Sequence, residues 1–76
     1  MKELVEYIAA ILVDEPDAVD IRESEDDDTI LIELRVAKVD LGKVIGKQGR
    51  TARAIRSLLT AAAGKDNKRA RLEIID

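Results

Sequence analysis

The feature that most constrains this fold is an alternation of side chains over residues 29–36. Every second residue of the segment is a branched aliphatic, and these residues are Ile30, Ile32, Leu34 and Val36. Because successive side chains of a strand point to opposite faces, the pattern predicts a strand with one buried face. A shorter strand is expected over residues 18–24. The acidic turn from Ser24 to Asp28 is short enough to join the two as an antiparallel hairpin.

A sheet with one apolar face must pack that face against another layer. Apolar residues at helical spacing predict helices that form this layer. Helices are expected over residues 3–13, 41–45 and 50–63, with Asp40 as the N-cap of the short one and Gly64 as the C-terminal cap of the last. The expected inward positions are Leu4, Val5, Ile8, Ile11 and Leu12 in the first helix and Ala52, Ile55, Leu58, Leu59 and Ala62 in the last.

A third strand is predicted over Arg69 to Ile75, after a polar loop from Lys65 to Lys68, with Ala70, Leu72 and Ile74 inward. The order is α-β-β-α-α-β. We therefore expect an α+β fold of two layers, with a three-stranded mixed sheet covered by three helices. A chain of 76 residues has room for one domain, so we expect residues 1–76 to form a single one.

Charge is distributed unevenly along the chain. Residues 1–40 hold 4 basic and 13 acidic side chains, whereas residues 41–76 hold 9 basic and 3 acidic ones. Exposed charges more than about 8 Å apart are largely screened at physiological salt, so a basic patch can attract a polyanion despite a net charge of −3. Alternatively, the two halves only solvate two faces and pair with each other.

Several functional classes are disfavoured by composition. The chain has no Cys and no His, which removes common metal ligands and the commonest general base. Thr51, Ser57 and Thr60 have no imidazole to activate them, so no enzyme is expected. The run Asp26–Asp28 lacks the ligand spacing of a calcium loop and favours a solvated turn. We expect no catalytic residue, metal, cofactor or small-molecule substrate.

The sequence also disfavours a membrane protein. No apolar run approaches the roughly 18 residues needed to span a bilayer. The opening residues Met1-Lys2-Glu3 lead directly into a helical pattern, without the apolar segment of a signal peptide. We expect a soluble, cytoplasmic protein without membrane contact.

The most informative motif is the segment Gly46-Lys47-Gln48-Gly49, which we call the glycine loop, between the second and third predicted helices. Two glycines allow a tight turn and leave no Cβ to hold a ligand away. The N-terminus of the following helix favours phosphate. Lys43, Arg50 and Arg53 lie within about one helical turn of the loop, and no acidic residue occurs between positions 41 and 65. The spacing fits neither a P-loop nor a dinucleotide fingerprint. A plain corner between two helices remains the alternative.

The run from Val44 to Ile55, set between two helices in this order of elements, resembles the KH domain in its prokaryotic, type II arrangement. Length and the closing segment from Asn67 to Ile74 resemble the small stand-alone KhpA-type proteins. The resemblance implies that the protein grips single-stranded RNA by the backbone of about four nucleotides. The implied contacts are Gly46, Lys47, Gln48 and Gly49 as the clamp, Ile45 lining a groove for bases, and Lys43, Arg50 and Arg53 attracting phosphate.

The resemblance further implies RNA chaperone activity, a homodimer, and pairing with a second KH protein, KhpB, in control of cell elongation and the cell envelope. Tyr7 is the only aromatic residue, so stacking of bases on rings, worth ~1–3 kcal/mol per base, is unavailable. We expect weak, salt-sensitive and poorly selective RNA binding. The alternative is a dimerisation or adaptor module that keeps the fold without significant RNA binding.

Overall fold

The structure is a computed structural model that describes residues 1–75, and within them three helices and three strands follow the predicted order. The elements are α1 (Lys2–Leu12), β1 (Asp20–Asp26), β2 (Thr29–Arg35), α2 (Leu41–Ile45), α3 (Arg50–Gly64) and β3 (Arg69–Ile75). The α+β class, the three helices and the three-stranded sheet are confirmed.

The sheet is mixed, as expected, with strand order β1-β2-β3. Strands β1 and β2 are antiparallel, whereas β2 and β3 are parallel, with Ile32 opposite Leu72. The acidic turn is shorter than predicted, because β1 continues to Asp26 and leaves two residues for the hairpin loop. The first of these, Asp27, has φ 54°, a left-handed conformation that suits a tight hairpin and that Asp tolerates better than most residues.

The core lies between one face of the sheet and the helices. The four alternating aliphatics of residues 29–36 are all buried, which confirms the face predicted for β2. Helix α1 packs over β1, and α3 packs over β3. They contribute Val5 and Ala9 from α1 and Ala52, Ile55, Leu59 and Ala63 from α3, while Leu72 closes the core from β3. Among residues 1–75, no helix covers the opposite face of the sheet, which carries Arg22, Glu33 and Arg71.

Three aliphatic residues predicted to point inward are exposed instead. Leu4 and Ile11 on α1 are 37% and 64% exposed, and Leu58 on α3 is 53% exposed. A helix lying on a sheet buries only a narrow stripe, and on α3 that stripe passes through Leu59 and Ala63 rather than Leu58 and Ala62. Helical spacing alone does not decide between two neighbouring residues at the edge of an apolar stripe.

The predicted C-terminal cap of α3 is also wrong. Gly64 is the last residue of the helix, and the left-handed residue is Asn67, with φ 58°. The chain then turns back, and the Lys68 N–H donates to the Ala63 carbonyl at 3.0 Å. Asn adopts this conformation readily because its short polar side chain can hydrogen-bond locally. Within residues 1–75, no helix combines the length and apolar character that crossing a bilayer requires.

Candidate nucleic-acid interface

The glycine loop reverses the chain between α2 and α3. Gly46, Gln48 and Gly49 have φ values of 77°, 58° and 74°, so three of its four residues are left-handed or otherwise positive in φ. The Gly46 N–H donates to the Gly42 carbonyl at 2.8 Å, and the Gly49 N–H donates to the Gly46 carbonyl at 3.1 Å. One hydrogen bond therefore ties the start of the loop to α2, and the other closes the loop from Gly46 to Gly49.

The two glycines meet different requirements. A Cβ on Gly46 would lie 2.7 Å from the backbone nitrogen of Thr51, so the start of α3 leaves no space for a side chain there. A Cβ on Gly49 would meet nothing within 4 Å. Gly46 is needed both for its φ and for the close approach of α3, whereas Gly49 is needed only for its φ. Gly49 is also the N-cap of α3, where it offers no side chain to the first-turn N–H groups, which leaves the positive end of the helix dipole facing the loop.

Two arginines of α3 fold back onto the loop. The Arg53 Nη2 donates to the Gln48 carbonyl at 3.0 Å, and the Arg50 Nη2 lies 3.4 Å from the Gln48 Oε1. Lys47 is exposed beside them. None of the ion pairs formed among residues 1–75 involves Lys47, Arg50 or Arg53. The structure thus gathers three uncompensated positive charges on a turn with exposed backbone.

Ile45 ends α2 directly before the loop and is 37% exposed, while its neighbour Val44 is fully buried. One residue therefore anchors the short helix in the core, and the next presents an aliphatic surface at the edge of the loop. The family resemblance implies that Ile45 lines a groove for bases, and its contact with bases stays a prediction.

Lys43 is the one predicted RNA contact whose charge is paired with acidic residues outside the glycine loop. Its ammonium group forms an ion pair with Asp14 and lies 3.4 Å from the Oδ1 of Asp40. The hydrogen bond with Asp14 raises the pKa of Lys43, and the charge of Asp40 adds to the effect. The positive charge is therefore compensated by the acidic N-terminal half, and this lysine joins α2 to the segment after α1.

Asp40 occupies the N-cap position of α2 but does not cap it. Its side chain is completely buried and accepts the N–H groups of Asp14 and Glu15, each at 3.0 Å. The hydrogen bond from the Asp14 N–H is the main cause that lowers the pKa of Asp40; the Glu15 N–H and Lys43 act in the same direction and outweigh the cost of burial. The predicted cap was wrong because the competing donors lie 25 and 26 residues away, beyond the reach of a local pattern.

Arg56 was not selected from the sequence as a site residue. Its Nη2 donates to the main-chain carbonyl of Leu72 on β3 at 3.3 Å. Arg56 could have been selected by its spacing, because Arg50, Arg53 and Arg56 are three residues apart and fall on one side of α3. The partner on β3 is visible only in the fold. Within residues 1–75 no group of carboxylates is placed to hold a metal ion, the acidic hairpin turn included.

Comparisons with known proteins agree on one family. The family model described as KhpA/KhpB, KH domain, matches residues 2–74. The chain is 58% identical over 76 residues to the RNA-binding protein KhpA of Halalkalibacterium halodurans, with all of both chains covered. It is 59% identical over 75 residues to that of Caldanaerobacter subterraneus subsp. tengcongensis, covering 99% of this chain and 100% of the other. It is 50% identical to that of Chlamydia trachomatis, covering 100% of this chain and 97% of the relative. No solved structure is a significant match.

Proposed function

This chain belongs to the KhpA/KhpB KH-domain family, and on that premise we propose that it binds single-stranded RNA through the glycine loop. The relatives described above carry the name RNA-binding protein. The observation that carries the proposal is the convergence of Arg50 and Arg53 on Gln48, in a loop where Lys47 adds a third positive charge.

The proposed grip uses the backbone and the cations together. A Cβ on Gly49 would point into open space, so the absence of a side chain there lets a sugar–phosphate backbone approach the turn closely. The start of α3 adds the positive end of its dipole, and the arginine side chains supply charge-assisted hydrogen bonds to phosphate oxygens. Bases would then lie against Ile45 and the groove beside the loop. Without aromatic rings to stack on, most of the affinity is electrostatic.

A double substitution, Lys47→Asp with Gln48→Asp, tests the grip. Asp tolerates the left-handed backbone of position 48, so the fold is retained while two carboxylates replace a cation and an amide. We expect the affinity for a short single-stranded RNA at low salt to fall at least about tenfold, because anions in the loop repel phosphate. Fluorescence anisotropy with a labelled RNA octamer measures the change.

The chain offers a matched control, Lys65→Asp with Asn67→Asp. It alters net charge by the same amount and again places Asp at a left-handed position, Asn67. It does so at the other end of α3, about 22 Å from the loop by helix rise. We expect this control to weaken binding by less than about threefold, since only long-range charge is altered. Equal losses in both variants, or no loss in the loop variant, would reject the clamp.

A protein partner is a second candidate function, and the exposed face of α1 favours it. Leu4, Tyr7 and Ile11 fall on one side of the helix and are exposed, Tyr7 to 69%. We propose that this face serves a homodimer or a heteromer with a KhpB-type KH protein. Tyr7→Ser with Ile11→Ser should lower the sedimentation coefficient of an assembled species and leave RNA affinity unchanged. An unchanged coefficient for an assembled species would reject this face.

The remaining roles implied by the family resemblance are proposals at the level of the cell. We propose RNA chaperone activity in the cytoplasm, and a contribution to cell elongation and envelope control. If these roles depend on the glycine loop, the loop variant should fail to complement a strain that lacks the protein, whereas the matched control should complement it. Complementation by both variants would separate the physiology from RNA binding.

A further inference from the structure

Strand β1 has a free edge, on the side of the sheet opposite to β3. Only β2 pairs with β1. The direction of the backbone groups follows from one hydrogen bond at the start of β2. The Arg69 N–H donates to the Asp28 carbonyl at 2.7 Å, so the backbone just before β2 points toward β3. Backbone groups alternate in direction along a strand, so Thr29 and every second residue after it point toward β1.

The same alternation decides which groups of β1 are free. Asp26 lies opposite Thr29 and points toward β2. The N–H and C=O groups of Ile21, Glu23 and Glu25 therefore point away from the sheet. Among residues 1–75, no backbone group outside the sheet pairs with them. Ile21 is the only buried residue of β1, so this row of donors and acceptors is open to an additional strand.

The charges on β1 select what such a strand carries. Four of the seven residues of β1 are acidic and one is basic. The basic residue, Arg22, is already paired with Asp20 at 3.6 Å. None of the ion pairs formed among residues 1–75 involves the acidic run Asp26–Asp28. Neighbouring strands place their side chains directly beside each other, and opposite charges stabilise such pairs. The edge therefore fits a strand with Lys or Arg at alternate positions.

We propose that the free edge of β1 binds an extended, basic segment of a partner protein as an additional strand. In this mode main-chain hydrogen bonds give affinity and neighbouring side chains give specificity. A second copy of the chain is a poor occupant, because antiparallel pairing over the whole of β1 sets Asp20 against Asp26 and Glu23 against itself. The inference is independent of the proposed function, because β1 contributes no residue to the glycine loop or to its arginines.

A purely protective role for these charges is the alternative, since charged residues on an edge discourage pairing with other strands. Amide hydrogen exchange separates the two roles, because an unpaired N–H exchanges fast and a paired one slowly. The full ¹⁵N-labelled chain would be mixed at low salt with the acetylated and amidated peptide TKTKTKT. We expect exchange at Ile21, Glu23 and Glu25 to slow by roughly fivefold when about four-fifths of the chain is bound.

Two control peptides separate strand pairing from simple attraction of charge. The peptide TETETET reverses every charge, so it should not slow exchange at Ile21, Glu23 or Glu25. The peptide TKPPKKT keeps every lysine, but two consecutive prolines remove N–H groups from both of its edges. It should leave exchange at these residues unchanged as well.

A pair of variants tests the edge from the side of the protein. Glu23→Pro removes an outward N–H at a position where an edge strand tolerates proline, so it should abolish the protection of Ile21 and Glu25 by TKTKTKT. The matched control Glu23→Gln keeps the N–H and loses only one exposed charge, so it should weaken binding by less than about threefold. Thermal unfolding shows whether each variant is folded, and TKPPKKT carries the test if Glu23→Pro is not.

The outcomes are distinct from those for RNA, because the test contains none. Unchanged exchange at Ile21, Glu23 and Glu25 with TKTKTKT, or equal slowing by TKPPKKT, would overturn the inference. Slowing confined to the glycine loop would overturn it as well, since the peptide would then bind elsewhere. Protection of the three amides in the chain alone, rising with protein concentration, would assign the edge to a second copy and exclude the basic segment.

Discussion

Gly46 and Gly49 both have positive φ, but only Gly46 lies against α3. Ala at Gly49 costs about 1–2 kcal/mol for the left-handed backbone. Gly46, with φ 77° and ψ 170°, has a conformation essentially confined to glycine, so Ala there costs about 1–3 kcal/mol for the backbone. At Gly46 the overlap with Thr51 adds a further ~1–3 kcal/mol, because the start of the helix must move. We therefore predict that Gly46→Ala lowers the free energy of unfolding more than Gly49→Ala does. Urea denaturation measures both, and equal losses would show that the close approach to α3 has no cost.

Asp40 makes the stability of the protein depend on pH. Because its pKa is lowered in the folded state from 3.8, its contribution is fully present above that value and is lost as pH falls through the lowered pKa. An Asn side chain cannot accept both N–H groups, so Asp40→Asn should be less stable at neutral pH. The difference in unfolding free energy between this variant and the unmodified chain should become smaller below pH 3.8. Urea midpoints at pH 7 and pH 3 test this, and a gap that stays constant with pH would contradict the buried-carboxylate account.

At the scale of elements, α3 has two adjacent leucines in opposite environments. Leu59 is buried against the sheet, while Leu58 is 53% exposed. We predict that Leu59→Ala costs about 2–5 kcal/mol of unfolding free energy, because it leaves a cavity in the core. Leu58→Ala should cost less than about 0.5 kcal/mol, as for a surface residue. Urea denaturation compares the two variants. A larger loss for Leu58 would mean that the helix presents a different face, or that an assembly buries this residue.

The elements were predictable to the extent that their signals are local. The alternation over residues 29–36 and the helical spacing of α1 and α3 predicted the type of these three elements, because period is a property of neighbouring residues. The features missed are those that depend on distant partners. Asp40 takes its donors from the segment after α1. The α3–β3 turn is made at Asn67 and closes by a bond to Ala63.

The candidate site shows the same division. Gly46 and Gly49 were identified by spacing, and their positive φ values agree with the turn that two glycines were expected to allow. Arg50 and Arg53 were placed near the loop by sequence distance, but their common partner, Gln48, follows only from the three-dimensional arrangement. Arg56 was not selected because its contact lies on a strand 16 residues later.

At the scale of the whole molecule, the two charged halves interact selectively. Lys43 pairs with Asp14 and Asp40, and Lys68 pairs with Glu25 at 2.6 Å. The alternative that the two halves only pair with each other thus holds for these lysines. It does not hold for the loop, where Lys47 and the arginines are outside the ion-pair network. The negative total charge is compatible with a local site for a polyanion, because exposed charges are screened within about one Debye length.

The salt dependence of RNA affinity follows from these three cations. For single strands the logarithm of the affinity falls with the logarithm of salt concentration, with a slope of about −0.7 per neutralised phosphate. Lys47, Arg50 and Arg53 should therefore give a slope of about −2. Lys47→Ala should make the slope shallower by about 0.7. Anisotropy titrations between low and physiological salt provide both slopes, and a slope near zero would contradict an electrostatic grip.

The most direct test of the central claim is an amide titration by NMR. The ¹⁵N-labelled chain would be titrated with a single-stranded RNA octamer at low salt, with the shift of each backbone amide followed. We predict that the largest shifts fall on Ile45 to Arg53, since the glycine loop and the start of α3 hold the RNA backbone. Shifts confined to α1 or to the uncovered face of the sheet, with the loop unchanged, would contradict the account.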